Sequence, residues 1–314
     1  MNEKTITVMS WNLQGEVGIG KSRLEEIFEF IKQCFAILEG EKEGTFDLLL
    51  LQAVPYDRGP EVCEGLKLKL GYPAEGIVDT LDWARSLGNL SCQPHQDLNH
   101  DRGNVTASCW KAERIPLSIH DQSGVSNFYT NFPEKIIQTR LSWPGWGRLE
   151  AWNAGIIAGA GADEEKVMAI KTITTRLERR ASRSGRKRTL VLGGDFNTPN
   201  FETPDGQAVP YGHEKNTHLK GDWASTELEL LKNLNRWRLR DALRFVHGYE
   251  DTKNQKLTHY SHVTTGGTKK RLDHLFVDSK ALIPERCFYP ATEVGMENIP
   301  SDHSPIVARL KLVD

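Results

Sequence analysis

The chain reads as one α/β domain over residues 1–314, two sheets packed face to face with helices outside. Three features predict this. Strand-like and helix-like patterns interleave along the full length. No low-complexity segment, linker or solenoid-period repeat divides the chain. The strand-like runs end in short polar clusters, as expected where several strand ends share a rim and their loops build a site.

Residues 5–11 alternate as a strand and end at Asn12-Leu13-Gln14-Gly15. Ser22 is placed as the N-cap of a helix, with Glu25 as its capping-box partner. Leu24, Ile27, Phe28, Ile31, Phe35 and Leu38 give that helix its apolar face. Residues 46–52 are mostly apolar, the pattern of a strand covered on both faces, and 60–70 form a shorter helix. Residues 71–102 read as irregular. Strand composition returns at 105–110, 116–120, 135–143 and 148–156. Asp163 caps a helix carrying Val167, Ile170, Ile173 and Leu177. Leu190, Val191 and Leu192 form a buried strand that runs into Gly193 and Gly194. A polar loop covers 201–222, and Ser225 opens a helix with Leu228, Leu231 and Leu234 inward. Residues 258–263, 271–278 and 305–312 are the closing strands.

A net charge of −2 argues against a bulk polyelectrolyte binder while leaving room for a locally basic cleft. The five cysteines are dispersed, with no CxxC pair, which argues against a disulfide framework or structural zinc. The first ten residues lack an apolar core, and no stretch approaches the ~20 apolar residues of a membrane span. These features point to a cytoplasmic protein, and no protein partner is inferred.

Four strand-end clusters carry chemistry: Trp11-Asn12, Gly194-Asp195-Phe196-Asn197, Arg271-Leu272-Asp273-His274 and Ser301-Asp302-His303-Ser304. Each alone is weak. The Asp195–Asn197 step, for example, also suits an Asx turn. Together they supply what phosphoester cleavage needs. Carboxylates and amides can hold Mg²⁺ or Mn²⁺ against phosphate oxygens. A carboxylate can orient or deprotonate water. A histidine kept cationic by an aspartate can donate to the phosphate as charge grows.

In this order the clusters resemble the endonuclease/exonuclease/phosphatase superfamily, the pancreatic deoxyribonuclease-like fold, from Val8 to the chain's end. The resemblance implies a four-layer α/β sandwich with mixed, mainly antiparallel sheets and the site at one rim. It makes Asn12 a ligand of phosphate and metal, and Asp195 and Asn197 the pair that positions the nucleophilic water. Asp273 supports the catalytic histidine; Asp302 and His303 are metal ligand and phosphate-contacting imidazole. Asn153 is placed as a phosphate ligand, and Gly103-Asn104 and Ser108 match a strand flanking the cleft less specifically. The implied activity is metal-dependent phosphodiester hydrolysis of nucleic acid. The alternatives are a phosphatase or lipid phosphodiesterase acting on a small phosphoester or lipid head group, and a phosphate-binding relative without turnover.

Two positions depart from the pattern. The family's second strand usually ends Leu-Gln-Glu, the glutamate being a principal metal ligand; this one ends Leu51-Gln52-Ala53. Where Asn-x-His is common, Asn153 is followed by Gly155. Three readings are open at Ala53: a metal site surviving on fewer carboxylates, helped by Gln14, Glu16 or Asp57; a binder that does not cleave; or a replaced ligand. Around the rim, Trp143, Trp146 and Arg148 form a candidate substrate loop, the bland alternative being a hairpin with its indoles packed on the sheet. His259 and His262 alternate and could face the site. The basic run at 176–188 leads into the far end of the Asp195 strand, so it is expected at the opposite rim.

Overall fold

A computed structural model describes residues 4–13, 21–40, 44–88, 101–116, 130, 132–144, 147–158, 163–182, 188–211, 225–250, 257–293 and 299–313. In chain order the strands are β1 (Thr5–Asn12), β2 (Leu48–Pro55), β3 (Ile77–Asp79), β4 (Arg102–Ser108), β5 (Ala112–Ile115), β6 (Ile136–Trp143), β7 (Gly147–Gly155) and β8 (Arg188–Asp195). They continue with β9 (Phe201–Glu202), β10 (Ala208–Val209), β11 (Leu239–Asp241), β12 (His262–Val263), β13 (Lys269–Lys270), β14 (Asp273–Asp278), β15 (Leu282–Phe288) and β16 (Ile306–Leu312). The principal helices are α1 (Lys21–Glu39), α2 (Gly59–Leu70), α3 (Leu81–Gly88) and α4 (Asp163–Ser182).

Two six-stranded sheets form, in the orders β15-β16-β1-β2-β4-β3 and β11-β14-β8-β7-β6-β5. Each contains one parallel pair, β1 with β2 and β7 with β8, among antiparallel neighbours. Alternation sorts the side chains into layers. Ile6, Val8, Leu48 and Leu50 of the first sheet meet Leu149, Ala151, Val191 and Leu275 of the second. Met9, Leu49 and Leu51 face outward onto Ile27 and Ile31 of α1 and Val62 and Leu66 of α2. Trp152, Leu190 and Leu192 pack outward on Ile170, Ile173 and Leu177 of α4. The result is the four-layer α/β sandwich the sequence implied. The cysteines at 34, 63, 109 and 287 are free, and among the described residues no helix is long and apolar enough to cross a membrane.

Several boundaries move. The first helix starts at Lys21, so Ser22 lies inside it rather than capping it. Residues 71–102 are not uniformly irregular: β3 and α3 lie within them. The strand read at 116–120 is centred earlier, at β5, and 117–120 lie outside the described residues. Only His262–Val263 of the 258–263 stretch is a strand. Unforeseen was β15, whose Pro284 argues against a strand. It is tolerated because β15 is an edge strand whose register shifts between Pro284 and Arg286.

Two backbone features shape the rim. A Cβ on Gly194 would lie 1.8 Å from the Ala154 carbonyl oxygen, so only glycine permits β8 to approach β7 there. Ala53 has φ 54°, in a register shift of β2 against β4 between Leu51 and Val54. That conformation disfavours a residue with a Cβ. Ala53→Gly should therefore raise stability by about 1 kcal/mol, read as a higher urea midpoint with an unchanged m-value.

Candidate active site

Four strand ends converge at one rim. β1 ends at Asn12, paired in parallel with Gln52 of β2. β8 ends at Asp195, which lies opposite Asp273, the first residue of β14. The turn before β16 carries Ser301, Asp302 and His303. It is tied to β1 by Ser301 Oγ donating to the Asn12 carbonyl (2.8 Å) and Trp11 Nε1 donating to the His303 carbonyl (2.8 Å).

Asp195 is 3% exposed. Its Oδ2 accepts from Asn12 Nδ2 (2.9 Å) and Asn197 Nδ2 (3.0 Å), and its Oδ1 from the Asn197 backbone N–H (2.9 Å). Asn197 reaches back because it adopts φ 50°, which asparagine tolerates better than most residues. Burial, and then the Asp273 charge, raise the Asp195 carboxyl to about 7, against the lowering effect of His303 and these hydrogen bonds. On the other side, His303 Nδ1 lies 2.7 Å from Asp273 Oδ2. That contact turns His303 Nε2 toward Asp195 Oδ2 (4.0 Å) and Asp302 Oδ1 (3.9 Å). Burial opposes charging this imidazole, but Asp273, Asp195 and Asp302 outweigh it and lift it to about 10.

Two further side chains border the site: His262, which the sequence had offered, and Lys166, which it had not. His262 stands against His303, their backbones bridged and their ring centroids 4.6 Å apart, with Nδ1 3.5 Å from Asp302 Oδ2. The sequence suggested that His259 and His262 could both face the site. Instead His259 turns away, to Glu250 (3.0 Å) and the His247 ring. Lys166, buried on α4, donates to the Asn197 carbonyl (2.7 Å) and to Glu227 (2.8 Å), which also accepts from Thr198 Oγ1. A lysine beside the apolar stripe of α4 was the available signal for this brace.

Two expectations need correction. Asn153 does not reach the rim as a phosphate ligand. It is fully buried between the sheets, with Nδ2 donating to the Leu51 (3.0 Å) and Val105 (2.9 Å) carbonyls and Oδ1 accepting from Gln52 (2.8 Å). Asn104 is likewise internal, donating to the Lys135 and Asn153 carbonyls. The Trp143–Arg148 hairpin is not a substrate loop at this rim. Arg148 pairs with Arg188 at the start of β8 and Gly155 with Asp195 at its end, so the hairpin lies at the opposite edge. Trp143 stacks on Trp110 there (4.9 Å), while Trp146 is outside the described residues. The basic turn of α4 lies at that same far edge, where Arg180 meets Glu150 (3.4 Å) and Asp278 (3.6 Å). Arg183, Arg186 and Lys187 are outside the described residues.

A divalent cation fits the donors present in one respect and not in another. Asp195, Asp273 and Asp302 put three carboxylates around one imidazole, and the buried Asp273 Oδ1 accepts no hydrogen bond among the described residues. That surplus of anionic oxygen suits a cation. Ala53, however, one residue past the Gln52 that pairs with Asn12, carries only a methyl group, so no carboxylate ligand comes from β2. Of the substitutes, Gln14 and Glu16 are outside the described residues, and Asp57 lies on an exposed turn beside Arg58.

No protein-family model and no curated protein sequence matches the chain. Solved structures do. The human Nocturnin catalytic domain with bound sulfate anion is 16% identical, with a TM-score of 0.57, covering 99% of this chain and 97% of that one. Danio rerio TDP2 complexed with single strand DNA product is 12% identical at a TM-score of 0.56, covering 98% and 99%. An endonuclease/exonuclease/phosphatase from Bacteroides vulgatus is 15% identical at 0.55, covering 99% and 100%. At these identities the likeness speaks for architecture, and it extends over nearly the whole chain: this protein has the endonuclease/exonuclease/phosphatase, or deoxyribonuclease I-like, fold.

Proposed function

We propose that the chain is a divalent-cation-assisted phosphoester hydrolase acting on nucleic-acid phosphodiesters. The observation that carries this reading is the Asn12–Asp195–Asn197 cluster facing the Asp273–His303 pair across one gap. In this reading Asp195, fixed by three N–H donors, orients the attacking water and takes its proton. A carboxyl raised to about 7 is suited to that exchange near neutral pH. His303, held by Asp273 in its charged form, donates from Nε2 to a phosphoryl oxygen as negative charge develops. Asn12 and Asp302 would hold Mg²⁺ or Mn²⁺, which when bound neutralises phosphate charge and favours the leaving oxygen. The nucleic-acid preference draws on the similar Danio rerio TDP2 structure, which was solved with a single-strand DNA product.

The test is a panel of plasmid DNA, abasic duplex, RNA, inositol phosphates and sphingomyelin, each with Mg²⁺ or Mn²⁺. DNA or RNA cleavage that stops with chelator and in Asp195→Ala supports the reading. Turnover of the inositol phosphates or sphingomyelin alone replaces the nucleic-acid assignment. Failure of both the chain with Ala53 and Ala53→Glu on every substrate overturns hydrolysis and leaves phosphate binding.

A further inference from the structure

Where position 53 offers no ligand, a nitrogen donor stands beside Asp302. His262 Nδ1 lies 3.5 Å from Asp302 Oδ2. Ligand atoms sharing one ion at bonds of about 2.0–2.2 Å stand roughly 3 to 3.5 Å apart. The backbone holds this pair in place. His262 bridges His303, and the Ser304 N–H donates to the Ser261 carbonyl at 2.7 Å. One nitrogen from each of His262 and His303 and one oxygen of Asp302 lie within 4.8 Å of one another.

We infer that His262 and Asp302 together ligate the divalent cation of this site, giving a mixed imidazole–carboxylate centre in place of an all-oxygen one. His303 Nε2 stays free for phosphate. The inference rests on the hydrolase reading only in expecting a cation at this rim. Its consequence is selectivity. Mg²⁺ favours oxygen ligands and gains little from an imidazole, whereas Mn²⁺, Co²⁺ and Zn²⁺ accept nitrogen readily. The competing account is plain hydrogen bonding, since His262 Nδ1 is also 3.3 Å from the Asp302 carbonyl oxygen. An imidazole acting only there leaves ion preference untouched.

The test needs no substrate. Co²⁺ is titrated into the full chain at neutral pH and followed by its visible absorption; Mg²⁺ affinity is read by competition. His262→Ala and His262→Gln should each weaken Co²⁺ binding at least about 10-fold and alter the visible band. Mg²⁺ affinity should stay within about 3-fold, with unchanged circular dichroism. Unchanged Co²⁺ affinity in both variants overturns the inference. So does an equal loss for Co²⁺ and Mg²⁺, which marks a general disturbance. The outcomes separate from those of the hydrolase reading. A chain that binds Co²⁺ through His262 but cleaves nothing refutes hydrolysis alone. Mg²⁺-supported cleavage with unchanged Co²⁺ binding in the variants refutes the ligand assignment alone.

Discussion

Asp195→Asn should lower kcat on a phosphodiester by about 10³-fold while leaving the protein at least as stable as before. The two halves of this expectation have one cause. Asp195 is buried beside Asp273, and its carboxyl is raised above the value of an unfolded aspartate. A raised carboxyl means that the ionised form is disfavoured in the folded state, so above about pH 4 its charge works against folding. Asparagine removes that charge and also the proton acceptor. Steady-state kinetics and thermal melts on the same preparation check both halves. Retained turnover within 10-fold would remove Asp195 from the role of base, and a collapse in melting temperature would make the loss of rate a folding effect.

The second large effect lies behind the site. Arg271 is buried just before β14. It donates from Nε (2.9 Å) and Nη2 (2.7 Å) to Glu202 and from Nη1 (2.8 Å) to Asp241. Arg271→Met would strip both carboxylates of this partner, and breaking a buried pair in this way costs about 3–5 kcal/mol. Arg244, which also meets Glu202, places the expected loss at the lower end, about 3 kcal/mol by urea denaturation. The same network sets the acid limit. Burial would raise the Glu202 carboxyl, but Arg271 outweighs it and holds it at about 2; Asp241 is likewise held below the usual range. Depressed carboxyls add stability above their unfolded values near 4, and lose it as pH falls through the folded ones. Stability should therefore drop between about pH 4 and 2. Arg271→Met should show a shallower drop over that window.

The layers were legible because the strands carry period-2 burial and α1 and α4 carry period-3.6 stripes. Asn12, Asp195, Asp273 and His303 were legible as a group because each closes or flanks an apolar strand. Facing direction was harder to read. Asn153 and Asp195 both sit near strand ends, yet one points between the sheets and the other at the rim. The Trp143 hairpin was misplaced although its position follows from the argument applied to the basic run: β7 runs parallel to β8, so its start lies far from Asp195. His262 acquires its neighbours only through a bridge to a residue 41 positions later in the chain, a pairing no local pattern encodes. In β15 a proline and the adjacent Glu285-Arg286 pair interrupt the apolar residues at its two ends, so no continuous strand pattern shows.

The pairing of β1 with β16 has a consequence for biosynthesis. These neighbours sit in the middle of their sheet, with Thr5 opposite Lys311, yet they lie far apart along the chain. At about 5–20 residues per second, the roughly 290 residues between them take on the order of 15–60 s to emerge. Throughout that interval β1 has an open hydrogen-bonding edge, and Asn12 waits for the imidazole it will face. Until β16 arrives that open edge is a template on which other chains can pair, so aggregation is favoured over the interval.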